Sequence, residues 1–350
     1  MDLMVNSLPT RTWNRLGMNE TKLNLEGDFT NNTPQAQSHP AEVLWEPKAA
    51  AAPTGLHGEL EALAAQADIG LAETKPAATP DKPLVLHYHY KEGEQGVSRL
   101  VLHAAEDSTL QAVLLLTSEG KSTAALQIEA YADKNAKIEL YVAQLLDQES
   151  VCVQNVCGVC EEAADISLRK LELGAGKLYA GVNIDLKGAD STLHAEVGYH
   201  GKPEQVLDMN YVATHLGKNT QSRMDLVGTL ENGAKKIFRG TIDFQRGCAG
   251  AKGDEMENVL LLGNDVVNQT IPLILCQEED VEGNHGASIG ELDDKVLFYM
   301  ASRGIDAEMA QKIIAEARIE AICNMLPDEA VQAQVRDYEG LGGIDDEQEL

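Results

Sequence analysis

The sequence predicts a mainly β protein built from stacked coils of a β-helix, flanked by small helical regions at both ends. Three observations carry this reading. Short apolar segments with strand-like alternation recur from Leu84 to Glu291, and helical periods are almost absent there. A weak repeat runs through the same stretch. A small residue is followed two positions later by an apolar one at Ser108/Leu110, Ala136/Ile138, Ala164/Ile166 and Ala189/Ser191–Leu193, with spacings of 28, 28 and 25 residues. Self-similarity at this period points to coils that stack on one another. Only 4% of residues are aromatic, which suits a core filled by ladders of small and aliphatic side chains. A β-sandwich is compatible with the strands but does not predict the repeat.

The elements follow in order. Residues 1–83 read as an N-terminal helical region with an Ala/Pro-rich linker. Pro9-Thr10-Arg11-Thr12-Trp13 looks like a helix start with Trp13 as an anchor, and GELEALAAQA (58–67) like a short helix between two Ala/Pro runs. Residues 84–291 form the β-helix core, with strands such as LVLHYHY, TLQAVLLLT, AALQIEAYA, KIFRGTIDF and TIPLILC punctuated by Gly, Asn and Asp. Residues 292–340 are helical. Asp293-Asp294 cap a first helix that Gly304 can terminate, Asp306 caps a second, and Pro327 opens a third. The tail, 341–350, is acidic and reads as disordered.

Composition sets the bounds. A chain of 350 residues can bury a large core. A formal charge of −28 repels nucleic acid and anionic membranes; it serves solubility, or else a basic protein partner. No run approaches the ~20 apolar residues of a membrane span. The first residues, MDLMVNSLPTRTWNRLGMNE, lack the order of a signal peptide, so a cytoplasmic location is expected. Six cysteines are too few for a disulfide framework and are expected as reduced thiols.

Few residues suggest chemistry. His285 sits in Gly283-Asn284-His285-Gly286, where flanking glycines would let the chain turn and leave the imidazole accessible as a ligand. Composition alone favours a structural or solvated histidine. Cys276, nine residues upstream in an apolar run, reads as a buried thiol that a turn could bring near His285. Cys248 lies in a glycine-rich loop and reads as exposed, and Cys323 as helix packing. Cys152, Cys157 and Cys160 form C-x4-C-x2-C, a candidate metal spacing, although on a continuous strand Cys157 and Cys160 would face opposite sides. His87 with His89, and His215 with Arg223, read as packing or surface groups. No phosphate loop, nucleophile elbow or HExxH helix is present. A cytoplasmic β-helix carbohydrate-active enzyme with an acidic cleft is the rival functional reading.

One resemblance narrows the choice. GNHGASIGELDDKVLFYMASRGI (283–305), LPTRTWNRLG (8–17), NTQSR (219–223), GTLENGAKKIFRGTIDFQRGCAG (228–250) and NVLLLGND (258–265) are similar to segments of the SufB/SufD family of iron–sulfur cluster assembly scaffold proteins. The resemblance implies a right-handed parallel β-helix between helical terminal regions. It implies a scaffold that is not itself an enzyme, partnered by a SufC-type ABC ATPase docked on the C-terminal helices around Phe298, Tyr299 and Arg303. It also implies a SufB-type paralogue, or a second copy of the chain, with a transient iron–sulfur cluster forming between the β-helices and none held stably by this chain alone. Within the family the chain resembles the SufD-type subunit. D-type members carry a Cys-Ser-His-Gly turn, which here reads Gly283-Asn284-His285-Gly286, so the histidine is kept and the cysteine lost. B-type members carry a cysteine just before the Leu-Leu-Ile-Gly-like run, where this chain has Glu257-Asn258-Val259. His285 would therefore complete a site whose thiolates come from the partner. The chain is also short for the family, which implies fewer coils.

Overall fold

The computed structural model describes residues 1–53, 56 and 58–341, the side chain of Asp294 excepted. The expected acidic tail lies outside the described residues, apart from Leu341. The N-terminal part contains β1 (Asp2–Val5), β2 (Thr21–Asn24), β3 (Thr30–Asn31), β4 (Gln35–Ser38), β5 (Val43–Ala49), the single-turn helix α1 (Glu61–Ala64) and β6 (Ile69–Thr74). The regular coils follow: β7 (Leu84–Tyr90), β8 (Gln95–Ala104), β9 (Thr109–Ser118), β10 (Thr123–Ala132), β11 (Lys137–Leu145), β12 (Val151–Cys160), β13 (Asp165–Glu172) and β14 (Lys177–Leu186). Then come β15 (Thr192–Gly201), β16 (Val206–His215), β17 (Gln221–Glu231), β18 (Lys235–Phe244), β19 (Ala251–Leu262), β20 (Val267–Cys276) and β21 (Val281–Gly290). Three helices close the chain: α2 (Asp294–Ala301), α3 (Ala307–Cys323) and α4 (Glu329–Glu339).

Even strands from β6 to β20 stack into one sheet and odd strands from β7 to β21 into the other, every coil-to-coil pairing being parallel. The result is a β-solenoid of about eight turns. The repeat seen in the sequence is a stack of equivalent positions. Leu110, Ile138, Ile166 and Leu193 lie in register on β9, β11, β13 and β15, all buried. Three residues before each, the chain turns a corner in the left-handed region: Asp107, Asn135, Ala163 and Asp190 have φ of 60°, 55°, 55° and 60°. Asn and Asp tolerate this conformation because their side chains bond locally; Ala163 does not and holds strain of ~1–2 kcal/mol.

Layers cover both outer faces of the solenoid. On the odd sheet, Ile319, Ile322, Leu326, Val331 and Val335 of the C-terminal helices pack against Val113, Leu115, Ala143 and Leu171. Asp293, Asp306 and Asp328 each cap a helix by accepting from a backbone N–H of the first turn, as the sequence suggests for the first two. The even sheet is covered by the N-terminal part, where Leu3, Val5, Leu23, Leu25, Leu60 and Leu63 meet Val97, Ala125 and Val153.

This N-terminal part corrects the expectation of a helical region and linker. It is mostly short strand. The helix expected at Pro9–Trp13 is only a 3-10 turn at Asn14–Leu16, and GELEALAAQA yields one helical turn. β5 and β6 already belong to the even sheet. Strands of two to seven residues are too short to show a periodicity of their own.

Buried charge fastens both covers. Arg239, 1% exposed at its side chain, donates to the Asp208 carboxylate at 2.5 Å and to the Met18 carbonyl at 2.7 Å. Asn6 Nδ2 donates to the same carboxylate at 2.7 Å. On the opposite face, His200 lies between Glu231 and Glu339, at 2.8 Å from each, and Lys202 reaches Glu339 at 2.8 Å. Burial works against the imidazolium, but the two carboxylates outweigh it and raise the His200 pKa to about 9.

Two outcomes test these fasteners. Arg239→Leu leaves Asp208 buried and uncompensated, so urea unfolding should show a loss of about 3–5 kcal/mol, partly recovered when Asp208→Leu is added. His200, with its pKa raised on folding, contributes stability that is complete below ~6.5 and lost as pH rises through about 9. The difference in melting temperature between the native chain and His200→Gln should therefore be largest near pH 6 and shrink by pH 10.

Candidate functional site

The solenoid ends on its last turn, β20 and β21. Each is the terminal strand of its sheet, with its outer backbone edge unpaired among the described residues. At the other end the terminal strands are β4 and β5, which pair antiparallel with β7 and β6. An unpaired parallel edge is a template for another strand.

His285 stands on this open end. It is not in a turn, as the glycines suggested, but in the middle of β21, in register with Glu255 of β19. Neither Gly283 nor Gly286 has positive φ; both are extended. His285 occupies the row whose earlier members, Met224 and Glu255, point into the solenoid. No later coil covers it, and it is exposed.

Beneath it the interior is charged. Lys236, Glu255 and Glu257 are all nearly fully buried. The Lys236 ammonium contacts the Glu257 carboxylate and donates to Thr270 Oγ1 at 3.1 Å. Tyr199 and Thr270 hydroxyls donate to Glu257 at 3.0 and 2.6 Å. Glu255 has an oxygen with no partner and fills space left by Gly240, where a Cβ would lie 2.2 Å from that carboxylate. Burial, then repulsion from Glu257, push the Glu255 pKa up to about 8, with Lys236 opposing.

The cysteines distribute differently from expectation. Cys276 ends β20 at the corner of the last turn and is exposed, with its Sγ 3.0 Å from the Glu278 carbonyl; the apolar run before it had suggested burial. It reaches solvent because no ninth coil follows. His285 lies four residues along β21 from the far side of that corner, ~13 Å at strand rise, so the turn does not bring the two together. Cys248, expected on the surface, is buried against the core because its loop folds over the corner. Cys323 packs between α3 and α4 as expected, with its Sγ 3.6 Å from the Gln332 carbonyl.

Cys152, Cys157 and Cys160 do not converge. All three lie on β12; Cys152 and Cys160 point into the apolar core and Cys157 points outward beside Gln127. Burial raises all three thiol pKa values, that of Cys157 to about 12, which keeps them protonated and unreactive. His215 is buried between the Thr220 and Ser222 hydroxyls, at 2.8 Å from each, and burial lowers its pKa to about 4. Arg223 forms a surface pair with Asp225, and His87 and His89 share the Thr117 hydroxyl. Among the described residues, no three His, Cys, Asp or Glu side chains are grouped to hold a metal ion. Sequence reasoning missed Lys236, Glu255 and Glu257. Their period-two alternation was legible in the strands, but which face was interior was not.

A second surface stands out on α2. Phe298 is 77% exposed and Tyr299 58%, with the Arg303 guanidinium 5.2 Å from the Tyr299 ring centre. Among the described residues no helix is long and apolar enough to cross a membrane.

These features define a class: a parallel β-solenoid, faced on both sides, whose last turn presents parallel strand edges. Comparison with known proteins makes the class specific. The family model for the SUF system FeS cluster assembly SufBD core domain matches residues 87–318, well over half of the chain. The chain belongs to this family of iron–sulfur cluster assembly proteins and has SufD-like character. It is 30% identical over 135 residues to the iron–sulfur cluster assembly protein SufD of Bacillus subtilis, covering 39% of this chain and 31% of that protein. It is 26% identical over 259 residues to the chloroplastic SufBD family protein ABCI8 of Arabidopsis thaliana, covering 71% of this chain and 46% of that one. A SufBD family protein of Staphylococcus haemolyticus is 32% identical over 131 residues, covering 37% and 28%. The matches span less than half the length of each of these relatives.

The buried carboxyl gives a direct test. The Glu255 pKa is raised on folding, so its contribution to stability is present below ~4.5 and lost as pH rises through about 8. Glu255→Gln stays neutral throughout. Its melting temperature should match the native chain near pH 5 and exceed it progressively up to pH 9.

Proposed function

We propose that this chain is a D-type scaffold subunit of a SUF-type iron–sulfur cluster assembly complex. The observation that carries the reading is the open last turn, where two free strand edges flank His285. A SufB-type paralogue ending in the same way would extend both sheets across the junction by backbone pairing. A second copy of this chain is the symmetric alternative.

The nascent cluster is the cargo of this junction. His285 would offer a neutral imidazole nitrogen to iron, and the thiolates would come mainly from the paralogue. Cys276, exposed at the corner of the same turn, is the one thiol of this chain that a partner docked there would meet. Family membership favours this reading over a carbohydrate-active enzyme. ATP hydrolysis belongs to a SufC-type ABC ATPase, for which the aromatic and cationic surface of α2 is the docking site. Phe298 and Tyr299 would anchor the interface, with Arg303 beside them.

Anaerobic co-purification with the ATPase and the paralogue of the same genome tests this. The expected result is a ternary complex carrying iron and sulfide. His285→Ala should keep the complex and lose most of its iron. Phe298→Asp should release the ATPase and retain the paralogue. A complex whose iron ignores His285→Ala would remove His285 from the site, and failure of all three chains to associate would overturn the scaffold reading.

A further inference from the structure

A cavity of about 340 Å³ lies between the N-terminal cover and the outer face of the even sheet. No wall of it belongs to the last turn. Its floor holds the in-register trio Asn155, Gly181 and Asn210 and the in-register pair Thr214 and Asp243. Ser7, Leu8 and Glu59 form the opposite wall, and the exposed Asn183 marks the lip. Gly181 keeps the space open, since a Cβ there would lie 2.6 Å from Asn155 Nδ2.

The polar groups of this cavity are one-sided. Asn155 and Asn210 are 5% exposed and Asp243 8%, and each has an Oδ1 atom with no partner among the described residues. The orientation of Asn210 is set by its Nδ2, which donates to the Ser7 carbonyl at 3.1 Å. The second Asp243 oxygen accepts from Gln245 at 2.7 Å. The Glu59 oxygens accept from the Asn6 and Ser7 backbone N–H groups at 2.6 and 2.8 Å. Among the described residues, no lysine, arginine or histidine lines it. The nearby Arg239 guanidinium is committed to Asp208 and the Met18 carbonyl. Three orphaned acceptors beside two carboxyl groups are costly unless a donor-rich cation joins them. Burial raises the pKa values of the lining carboxyls Glu59 and Asp243.

We propose that this cavity binds a small aliphatic amine in its ammonium form. An ammonium group brings three N–H donors and a positive charge, and so complements both the orphaned oxygens and the carboxylates. The volume is at the low end for ligand sites and suits a small chain. A directly coordinated metal is the poorer fit, because most of the free acceptors are amide oxygens and no metal-ligating trio is grouped among the described residues. The site is independent of the scaffold reading, and its test does not involve iron, the ATPase or the paralogue.

The experiment is titration calorimetry of the purified full chain with putrescine at fixed ionic strength, with magnesium chloride as the comparison and thermal unfolding in parallel. Saturable binding is expected, with a melting temperature that rises with putrescine concentration. Asp243→Asn and Asn155→Ala should each weaken it at least ~10-fold. Diffuse attraction to a chain of net charge −28 would scarcely register the loss of one charge. Asn183→Lys, at an exposed position that carries no folding risk, supplies an ammonium from the lip and should abolish putrescine binding. Absence of saturable binding, indifference to all three variants, or magnesium binding of equal strength with the same sensitivity to Asp243→Asn would each overturn the proposal.

Discussion

A parallel backbone ladder has no natural end, and much of this protein follows from how its two ends are treated. Each coil satisfies its peptide groups on the coil before and the coil after. At the N-terminal end the outermost strands, β4 and β5, turn back antiparallel. At the C-terminal end the outermost strands, β20 and β21, stay parallel and, among the described residues, pair on one edge only. Edges of this kind invite pairing, and soluble proteins usually blunt them. Here the open turn instead carries the exposed histidine and the one exposed cysteine among the described residues.

The interior combines aliphatic ladders, Leu110 to Leu193 among them, with buried charge, as in the Lys170–Glu172 pair of β13. Over the last coils Lys236, Glu255 and Glu257 occupy equivalent inward positions. Buried ions contribute little net stability and are strongly destabilising when a partner is lost. The grouping of Lys236, Glu255 and Glu257 places buried charge directly beneath His285, on the side where the sheets stop.

The two outer faces are closed by different means with one common device. Apolar side chains do most of the covering, and a buried or half-buried ion cluster sets the position: Arg239 with Asp208 on one side, His200 with Glu231 and Glu339 on the other. A solenoid with both faces covered becomes a layered domain.

The sequence alone determined the β-solenoid, its period and the capped C-terminal helices. These depend on local rules: alternation along a strand, small and aliphatic residues at stacked positions, and an acidic residue before a helix. It also marked His285 as the residue to watch. Tertiary structure decided the rest. Residues 1–83 became a cover of short strands rather than helix and linker, because those strands are too short to show a periodicity of their own. His285 became an edge-strand residue rather than a turn residue, because extended backbone suits glycine as well as a turn does. C-x4-C-x2-C became three inert thiols, since alternation splits them between two faces. Whether a charge such as Glu255 or Arg239 points in or out depends on which side of a sheet another segment covers. Periodicity records that there are two sides; only the packed chain assigns one of them to the interior.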